Sequence, residues 1–452
     1  MFKPKQIVMA LGLALPTLAF AQSNADVLKE LDALKARIKQ LEEQLQAQPA
    51  PAPAPSGGVD PAEFNRISVK TEAMEDNLEA SGFKGLKISG YMDPSYIYNK
   101  NQNRSGFQFL NRVEDDGYNY DNSYFGALAL DFLKETESGT RWHLTLAPNR
   151  GVGSVFDTNS PVQEATASIP LTDSKTRMIV GQMPDWSGYE YLQPTLNKLT
   201  THNLLFDFTL PTAYTGAGVD VISGKWEIKA MLANMNASKK KPGNHSPVLA
   251  YRADYSKGEF NGFGFAGVIG KATNLRADGN NPVTGDAYDT RDTWLNLIEV
   301  DGYFIRGDWT VQGQVSYGQQ KKAAITADPV TGELRDATWW GASGLVAYKF
   351  DPRFEGIVRA DYINNKKNGG GLLGYTAADG RNGIGPDPLG DPEVGANRYA
   401  LTLGVGYLFN QNTTIKAEYR FDRASQAVFE DVKTGEFKKD NQLIGVSTVV
   451  SF

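Results

Sequence analysis

The segment IKAEYRFD, residues 415–422, decides the fold, because apolar and charged side chains alternate along it without exception. Side chains of a β-strand point to opposite faces with a period of two residues. One face of this segment is therefore apolar and the other is charged. An apolar face against lipid and a charged face against water would suit the wall of a water-filled barrel.

Similar segments recur from Leu86 to Phe452, joined by connections that alternate between short and long. Short turns at one end, long loops at the other and an even strand count are typical of bacterial outer-membrane barrels. The sequence predicts sixteen strands, at 86–98, 124–134, 141–148, 162–171, 176–183, 216–223, 226–235, 247–256, 262–270, 293–306, 309–318, 338–350, 354–363, 397–409, 413–424 and 441–452.

Aromatic residues favour a membrane barrel over a soluble sandwich, since amphipathic rings collect at the two lipid–water interfaces. Tryptophans open predicted strands after short turns (Trp142, Trp226 and Trp309) and after long loops (Trp294, Trp339 and Trp340). Other aromatic residues end strands on the short-turn side, namely Tyr255, Phe350, Phe409 and Phe452. These positions predict one aromatic belt at each interface, with the short turns in the periplasm.

The first residues have the layout of a secretory signal peptide, predicted over 1–21. Lys3 and Lys5 precede an apolar run, and Ala19 and Ala21 form a small-x-small cleavage site. The apolar run is too short for a spanning helix. We therefore expect the mature chain to enter the periplasm.

A heptad pattern over 22–48 predicts a short periplasmic α-helical coiled coil, with a lone amphipathic helix as the alternative. Its apolar positions are Val27, Leu31, Leu34, Ile38, Leu41 and Leu45. A Pro/Ala/Gly linker follows over 49–59, and a capped short helix is predicted over 60–82. The transmembrane barrel is predicted over 83–452. For the short helix, a place at the periplasmic mouth of the barrel is favoured over a place inside it as a plug. A parallel coil that shares the barrel axis favours a homotrimer.

Composition excludes several kinds of site. The chain has no Cys, so thiolate metal sites and Cys nucleophiles are excluded, and its three His residues are widely spaced. We expect no metal and no cofactor. A formal net charge of −6 argues against a nucleic-acid partner. Without a G-x-S-x-G motif or a His beside evident Ser and Asp partners, we expect no enzyme activity.

The predicted loop between strands five and six, 184–215, is rich in apolar and aromatic residues such as Trp186 and Phe206. This content indicates packing against the barrel wall, where the loop would narrow the pore. Its candidate pore-facing charges are Asp185, Glu190, Lys198, His202 and Asp207. For any one of them, an ordinary loop charge is an equally good interpretation.

The alternation of side chains along the predicted strands also places charged residues on the inner face of the wall, where they are candidates for lining the pore. The basic members are Arg141, Lys229, Arg252, Arg359, Lys416 and Arg420. The acidic members are Asp131, Glu227, Asp254, Asp361, Glu418 and Asp422. Because lumen charge sets ion selectivity and the two sets balance, the sequence predicts weak selectivity.

The segment GQMPDWSGYEYLQPTLNKLTTHNLLFDFTLPTAYTG, residues 181–216, resembles outer-membrane porins described as OmpL-like. These share a similar strand, GYE, a polar run and an F-x-x-P-x-x-x-TG ending. The stalk, spacer and barrel together resemble an uncharacterised porin-like family of β-proteobacteria and, more distantly, the phosphate-selective porins. The resemblance implies a porin and carries over no substrate.

Sixteen strands leave an aqueous lumen, which favours passive diffusion of small hydrophilic solutes across the outer membrane. The alternative is a structural tether that links the barrel to peptidoglycan or a periplasmic partner through the coiled coil. The expected partners are outer-membrane lipid, lipopolysaccharide, further copies of the chain and small-molecule solutes.

Overall fold

The computed structural model describes residues 66–71, 73–74, 81–110, 125–149, 160–236, 243–276 and 279–452. The predicted signal peptide, coiled coil and linker lie outside these residues. The chain divides into two compact units, Met1–Lys84 and Gly85–Phe452. In the first unit, residues 66–71, 73 and 74 are helical, within the helix predicted over 60–82. Among the described residues, no helix is both long enough and apolar enough to cross a membrane.

The second unit is an antiparallel barrel of sixteen strands, which confirms the predicted all-β fold and strand number. The strands are β1 (Leu86–Met92 and Ser95–Asn99), β2 (Leu128–Glu135), β3 (Arg141–Leu146), β4 (Val162–Asp173), β5 (Thr176–Pro184), β6 (Ala213–Ser223), β7 (Trp226–Met235), β8 (Val248–Gly258), β9 (Asn261–Thr273), β10 (Asp292–Arg306), β11 (Trp309–Gln320), β12 (Ala337–Lys349), β13 (Phe354–Asn364), β14 (Arg398–Asn410), β15 (Thr413–Ala424) and β16 (Asp440–Ser451). Each predicted segment coincides with one of these strands.

Strand β1 is interrupted at Asp93 and Pro94 but keeps one register with β16 on both sides of the break. Proline has no backbone N–H and cannot donate to a ladder, which accounts for the break. The part of β1 before the break pairs with β2. The part after the break pairs with a short extra strand, Arg104–Gln108. The predicted strand 124–134 therefore begins only at Leu128.

The barrel closes where β1 meets β16. The backbone N–H of Phe452 donates to the carbonyl of Gly90 at 3.1 Å, and the N–H of Gly90 donates back at 3.3 Å. A Cβ atom on residue 90 would lie 2.8 Å from the Phe452 ring, so the close approach requires glycine. Closure leaves the sheet without an exposed edge at this seam.

The connections alternate in length, as predicted. After even-numbered strands they are tight, such as Gly307–Asp308 between β10 and β11. After odd-numbered strands they are long, notably 185–212 after β5 and 365–397 after β13. We call the two barrel ends the tight-turn end and the long-loop end.

The two faces of the strands differ in chemistry. On β14, Leu401 and Leu403 are 45% and 50% exposed, whereas Thr402 between them is fully buried. Aromatic clusters mark both barrel ends: Trp309 contacts Tyr348 at the tight-turn end, and Trp340 contacts Tyr362 at the long-loop end. The exposed apolar residues form the outer face, as in a barrel surrounded by lipid.

The structure corrects the prediction that Trp339 belongs to the aromatic belt at the outer interface. Its side chain is fully buried and belongs to an apolar cluster inside the barrel, whereas the adjacent Trp340 is exposed. Consecutive strand residues face opposite sides, so only one of the pair can meet lipid. The space for the Trp339 ring comes from Gly318 on β11, where any Cβ atom would lie 2.2 Å from the ring.

If the outer face meets lipid, a charged substitution on it should lower the free energy of unfolding more at the middle of a strand than at its end. Leu403→Arg, midway along β14, is expected to lower the free energy of unfolding by about 2–4 kcal/mol, because it places a cation in the centre of the lipid. Phe409→Arg, at the strand end, is the matched control, with an expected cost of about 0–1 kcal/mol. Urea unfolding in phospholipid vesicles measures both, and equal costs would contradict a membrane-spanning wall.

Candidate functional site

The connection 185–212, which we call the inner loop, lies against the inner face of the barrel. It contacts inward side chains of β6, of β8 and of β11 to β16, and the last six of these strands form a continuous arc of the wall. In strand order, these contacts join Asp185 with Tyr214, Trp186 with Arg252, Asn203 with Gln314, Tyr189 with Ser343, Glu190 with Arg359, Leu199 with Gly404, Thr201 with Glu418, and Thr200 with Ser447. The prediction that this segment packs on the wall agrees with these contacts.

A short helix, α1 (Leu204–Thr209), anchors the apolar part of the inner loop. The side-chain oxygen of Asn203 caps it, accepting hydrogen bonds at 2.9 Å from the backbone N–H groups of Leu205 and Phe206. Leu204, Leu205 and Phe208 are almost fully buried in one cluster with Trp339 and residues of the loop 365–397. Burial of this apolar face fixes the helix against the wall.

Arg359 on β13 is the centre of the polar contact. Its guanidinium is fully buried and lies 2.8 Å from a Glu190 carboxylate oxygen. It also donates to the backbone carbonyls of Thr201 at 2.6 Å and His202 at 2.8 Å. Asp361 on the same strand lies 3.3 Å away on the other side. A buried cation is tolerated because two carboxylates lie beside it and the loop accepts hydrogen bonds from both of its terminal nitrogens.

A row of alternating charges on β15 continues this contact. Arg420 donates to the carbonyl of His202 at 2.8 Å, and Lys416 donates to the carbonyls of Pro194 and Asn197 at 2.6 Å. Between them, Glu418 accepts from the backbone N–H of Thr200 at 2.7 Å. The wall cations thus meet carbonyl oxygens of the inner loop, and the wall anion meets N–H groups.

Close backbone approach at β14 completes the seat of the inner loop. A Cβ atom on Gly404 would lie 2.2 Å from the Leu199 side chain. Lys198 reaches Glu355 on β13 with a 2.7 Å ion pair that is only partly buried. The loop is therefore held by shape at Leu199 and by charge on either side of it.

Burial changes the acidity of two groups in the inner loop. Burial lowers the pKa of His202 to about 3, so the ring is neutral at physiological pH. The ring stacks on Phe206 with 4.1 Å between centroids and lies 2.9 Å from the carbonyl oxygen of Tyr191. Burial also raises the pKa of Asp185 to about 6, although Tyr214 donates to its carboxylate at 2.6 Å.

The residues predicted to face the pore separate into two groups. Those at the loop–wall contact have side chains that are at most 5% exposed: Glu190, His202, Asp207, Arg359, Lys416 and Arg420. For these, the expected contact with water is corrected to burial, because the inner loop covers the wall. The others retain more exposure, namely Arg141, Lys198, Lys229 and Arg252, while Asp185 is bonded to Tyr214 and Ser187.

Sequence analysis missed the neutral anchors of the inner loop. Ser343 and Ser447 bond Tyr189 and Thr200, and Gln314 meets Asn203. The alternation of side chains along β11, β12 and β16 places these residues on the inner face, and this was the one signal in the sequence that could have found them. Small polar residues on an inner face are common, so parity alone did not single them out.

The wall from β2 to β4 belongs to the other side of the interior and makes none of these hydrogen bonds or ion pairs with the inner loop. Its most polar point is His143 on β3, whose ring nitrogens lie 3.2 Å from Asp131 and 2.9 Å from Glu164. The Asp131 side chain is 38% exposed. The described residues contain no group of three or more His, Cys, Asp or Glu side chains that could hold a metal ion.

Comparison with known proteins gives a family and a fold. A family model described as "Protein of unknown function (DUF3138)" matches residues 61–452. No curated protein matches the chain in sequence. The finer resemblance to OmpL-like or phosphate-selective porins therefore stays a prediction.

Solved outer-membrane barrels are similar in structure. An anion-selective porin from Comamonas acidovorans superposes with a TM-score of 0.51 at 9% identity, covering 81% of this chain and 99% of that one. A loop L8 deletion mutant of OmpT, an outer membrane protein of Vibrio cholerae, gives 0.51 at 11%, with the same coverages. OmpF of Salmonella typhi, in complex with daunomycin, gives 0.50 at 13%, covering 81% and 97%. These likenesses establish a porin-like barrel fold; the expectation of no enzyme activity stays a prediction.

The Arg359 contact predicts release of the inner loop when the guanidinium is removed. Arg359→Met leaves Glu190 buried without its cation, which is expected to destabilise the docked loop by about 3–5 kcal/mol. Lys198 is the only Lys or Arg between 185 and 212, so trypsin cleavage after it reports undocking. The matched control is Arg335→Met, which removes an ion pair with Glu393 in the long loops. Equal cleavage in both variants would contradict the anchoring role.

The low pKa of His202 predicts acid sensitivity of the inner loop. When undocked, the ring titrates near 6.5, so docking is most stable above that pH and weakens as the pH falls toward 3. The raised pKa of Asp185 acts in the opposite sense, because docking weakens as the pH rises from 3.8 to about 6. Hydrogen exchange of residues 199–210, compared between about pH 7.5 and about pH 4.5, measures the balance.

His202→Gln removes the destabilising protonation, so this variant should lose less protection on acidification than the unmodified chain. His245→Gln, at an exposed position in a long loop, is the control and should behave like the unmodified chain. If His202→Gln lost protection to the same extent, buried neutral His202 would not account for the pH response.

Proposed function

The chain belongs to the DUF3138 family of proteins of unknown function, and we propose that it is an outer-membrane porin. In this proposal, small hydrophilic solutes diffuse passively through the barrel, and the inner loop forms the constriction. The fold supports the proposal because a sixteen-stranded barrel is wide enough to hold water inside.

The observation that carries the proposal is the one-sided position of the inner loop. Beside the start of the loop, Asp185 and Trp186 contact Tyr214 on β6. Its other contacts lie on β8 and on β11 to β16, where Arg359 and the charged row of β15 hold it. None of these hydrogen bonds and ion pairs of the loop with the wall involves β2 to β4. A loop seated on one side narrows the lumen while leaving a passage on the other side.

The exposed side of the inner loop is suited to contact with water and solutes. Tyr191 is 42% exposed and Thr195 is exposed, whereas Leu204 and Phe208 are buried toward the wall. The loop is therefore amphipathic, with its apolar side on the wall. A segment that filled the barrel as a plug would be buried on both of its sides.

The location and partners follow from the outer face. An apolar wall bounded by aromatic clusters supports insertion into outer-membrane lipid, with lipopolysaccharide around the long-loop end. Assembly as a homotrimer, the periplasmic stalk and a link to peptidoglycan are proposals that depend on residues 22–58, which lie outside the described residues.

The constriction is tested by adding bulk at the exposed side of the inner loop. Thr195→Trp should lower single-channel conductance in planar bilayers, since the larger side chain occupies part of the narrowest cross-section. Leu389→Trp makes a similar addition at a residue that is 93% exposed in the loop 365–397. This control should conduct like the unmodified chain.

Two results would overturn the proposal. A chain that is folded and inserted in the bilayer but gives no conductance is not a porin. Conductance that is unaffected by Thr195→Trp would show that the inner loop does not set the narrowest point.

A further inference from the structure

We propose that the passage prefers cations, so that its solutes are small cations and amines. This inference rests on the proposed porin function and adds the substrate class. It revises the weak selectivity predicted from the balanced wall charges. At the loop–wall contact the structure buries charges of both signs, Arg359, Lys416 and Arg420 together with Asp361, Glu418 and Asp422. The ion selectivity therefore depends on the charged groups elsewhere on the wall.

The basic side chains opposite the passage are covered. Arg359, Arg398 and Arg420 are each at most 1% exposed, and Lys416 is 5% exposed. Arg398 donates to the carbonyl of Asn382, pairs with Asp422 and lies between two aromatic rings. The three arginines pair with carboxylates at short range, and Lys416 donates to two loop carbonyls. A solute in the lumen therefore meets little of their field.

The acidic side chains on the other arc are less covered. Asp131 on β2 and Glu164 on β4 share a single imidazole, that of His143, which bonds both of them. Both carboxylates keep some contact with water, with side chains 38% and 14% exposed. Even with the imidazole protonated, this group carries one uncompensated negative charge.

A second place with excess carboxylate lies on β8 and β10. Arg252 bonds Asp254 at 2.7 Å and Asp301 at 2.7 Å, so that one cation again serves two anions. The Asp254 side chain is 30% exposed. The passage is therefore bordered by a net negative charge at both of these positions.

Asp220 on β6 lies between these two places and is an independent indication of a cationic ligand. It is more than nine-tenths buried, and its Oδ1 atom has no hydrogen-bond partner among the described residues. Its neighbours across the sheet are Arg177 and Lys229. Arg177 bonds Ser168 and Gly139, and Lys229 pairs with Glu227 at 2.7 Å. The Oδ1 atom of Asp220 therefore remains available to accept a hydrogen bond from a ligand.

The exposed side of the inner loop does not compensate for this charge. Tyr191 and Thr195 are uncharged, and the one lysine of the loop, Lys198, is paired with Glu355. Carboxylates in a narrow aqueous passage with low-dielectric walls raise the local concentration of cations and lower that of anions. The structure thus combines an uncharged exposed side of the loop with excess carboxylate at two places on the wall.

Reversal potentials under a KCl gradient test the inference in planar bilayers. The unmodified chain should show a potassium-to-chloride permeability ratio above unity. The double variant Asp131→Asn/Glu164→Gln keeps the side-chain shapes and should bring the ratio close to unity. Asp289→Asn, an exposed acid in a long loop, removes the same kind of charge outside the passage and should leave the ratio unchanged.

Each outcome decides between the two proposals. An unmodified chain that conducts with a ratio at or below unity overturns cation preference and leaves the porin function intact. A double variant that conducts with an unchanged ratio shows that the Asp131–Glu164 pair is not the determinant. If the double variant fails to fold, Asp254→Asn provides the same test at the second position. Absence of any conductance in the folded, unmodified chain overturns the porin function itself.

Discussion

A buried guanidinium that needs opposite charge and hydrogen-bond acceptors around it organises the interior of this barrel. Arg359 has no water to solvate it, and wall residues alone do not satisfy its donors. The inner loop supplies a carboxylate and two carbonyl oxygens, and in return it acquires a fixed position on the wall. The capped helix and the buried His202 both depend on that position. An unpaired buried charge would cost more free energy than most single contacts contribute.

Much of the fold was predictable because its signals are local. A period of two residues fixes which face a strand residue occupies, and turn length fixes the barrel end. Two departures have local causes as well: Pro94 interrupts the first strand, and Trp339 turns inward because its neighbour Trp340 faces out. The N-terminal stalk stays a prediction, since it lies outside the described residues.

The candidate site was predictable in location but not in exposure. Aromatic content placed the inner loop on the wall, and parity placed Arg359, Lys416 and Arg420 on the inner face. Whether such a residue meets water depends on which loop atom lies opposite, and that loop atom is distant in sequence. Thr201 and Glu418, for example, meet through tertiary packing alone. A count of inward charges therefore cannot tell which of them remain in contact with the lumen.

The seam between Gly90 and Phe452 also bears on assembly. It joins the first strand of the barrel to the last, so the ring cannot be completed before all of β1 to β16 are available. Contacts between residues so far apart in sequence carry a high loop-closure entropy and form late. Until then both terminal strands present unpaired edges, which are prone to pairing with other chains. Protection of these edges during passage to the membrane is therefore a requirement that the closed barrel places on its own biogenesis.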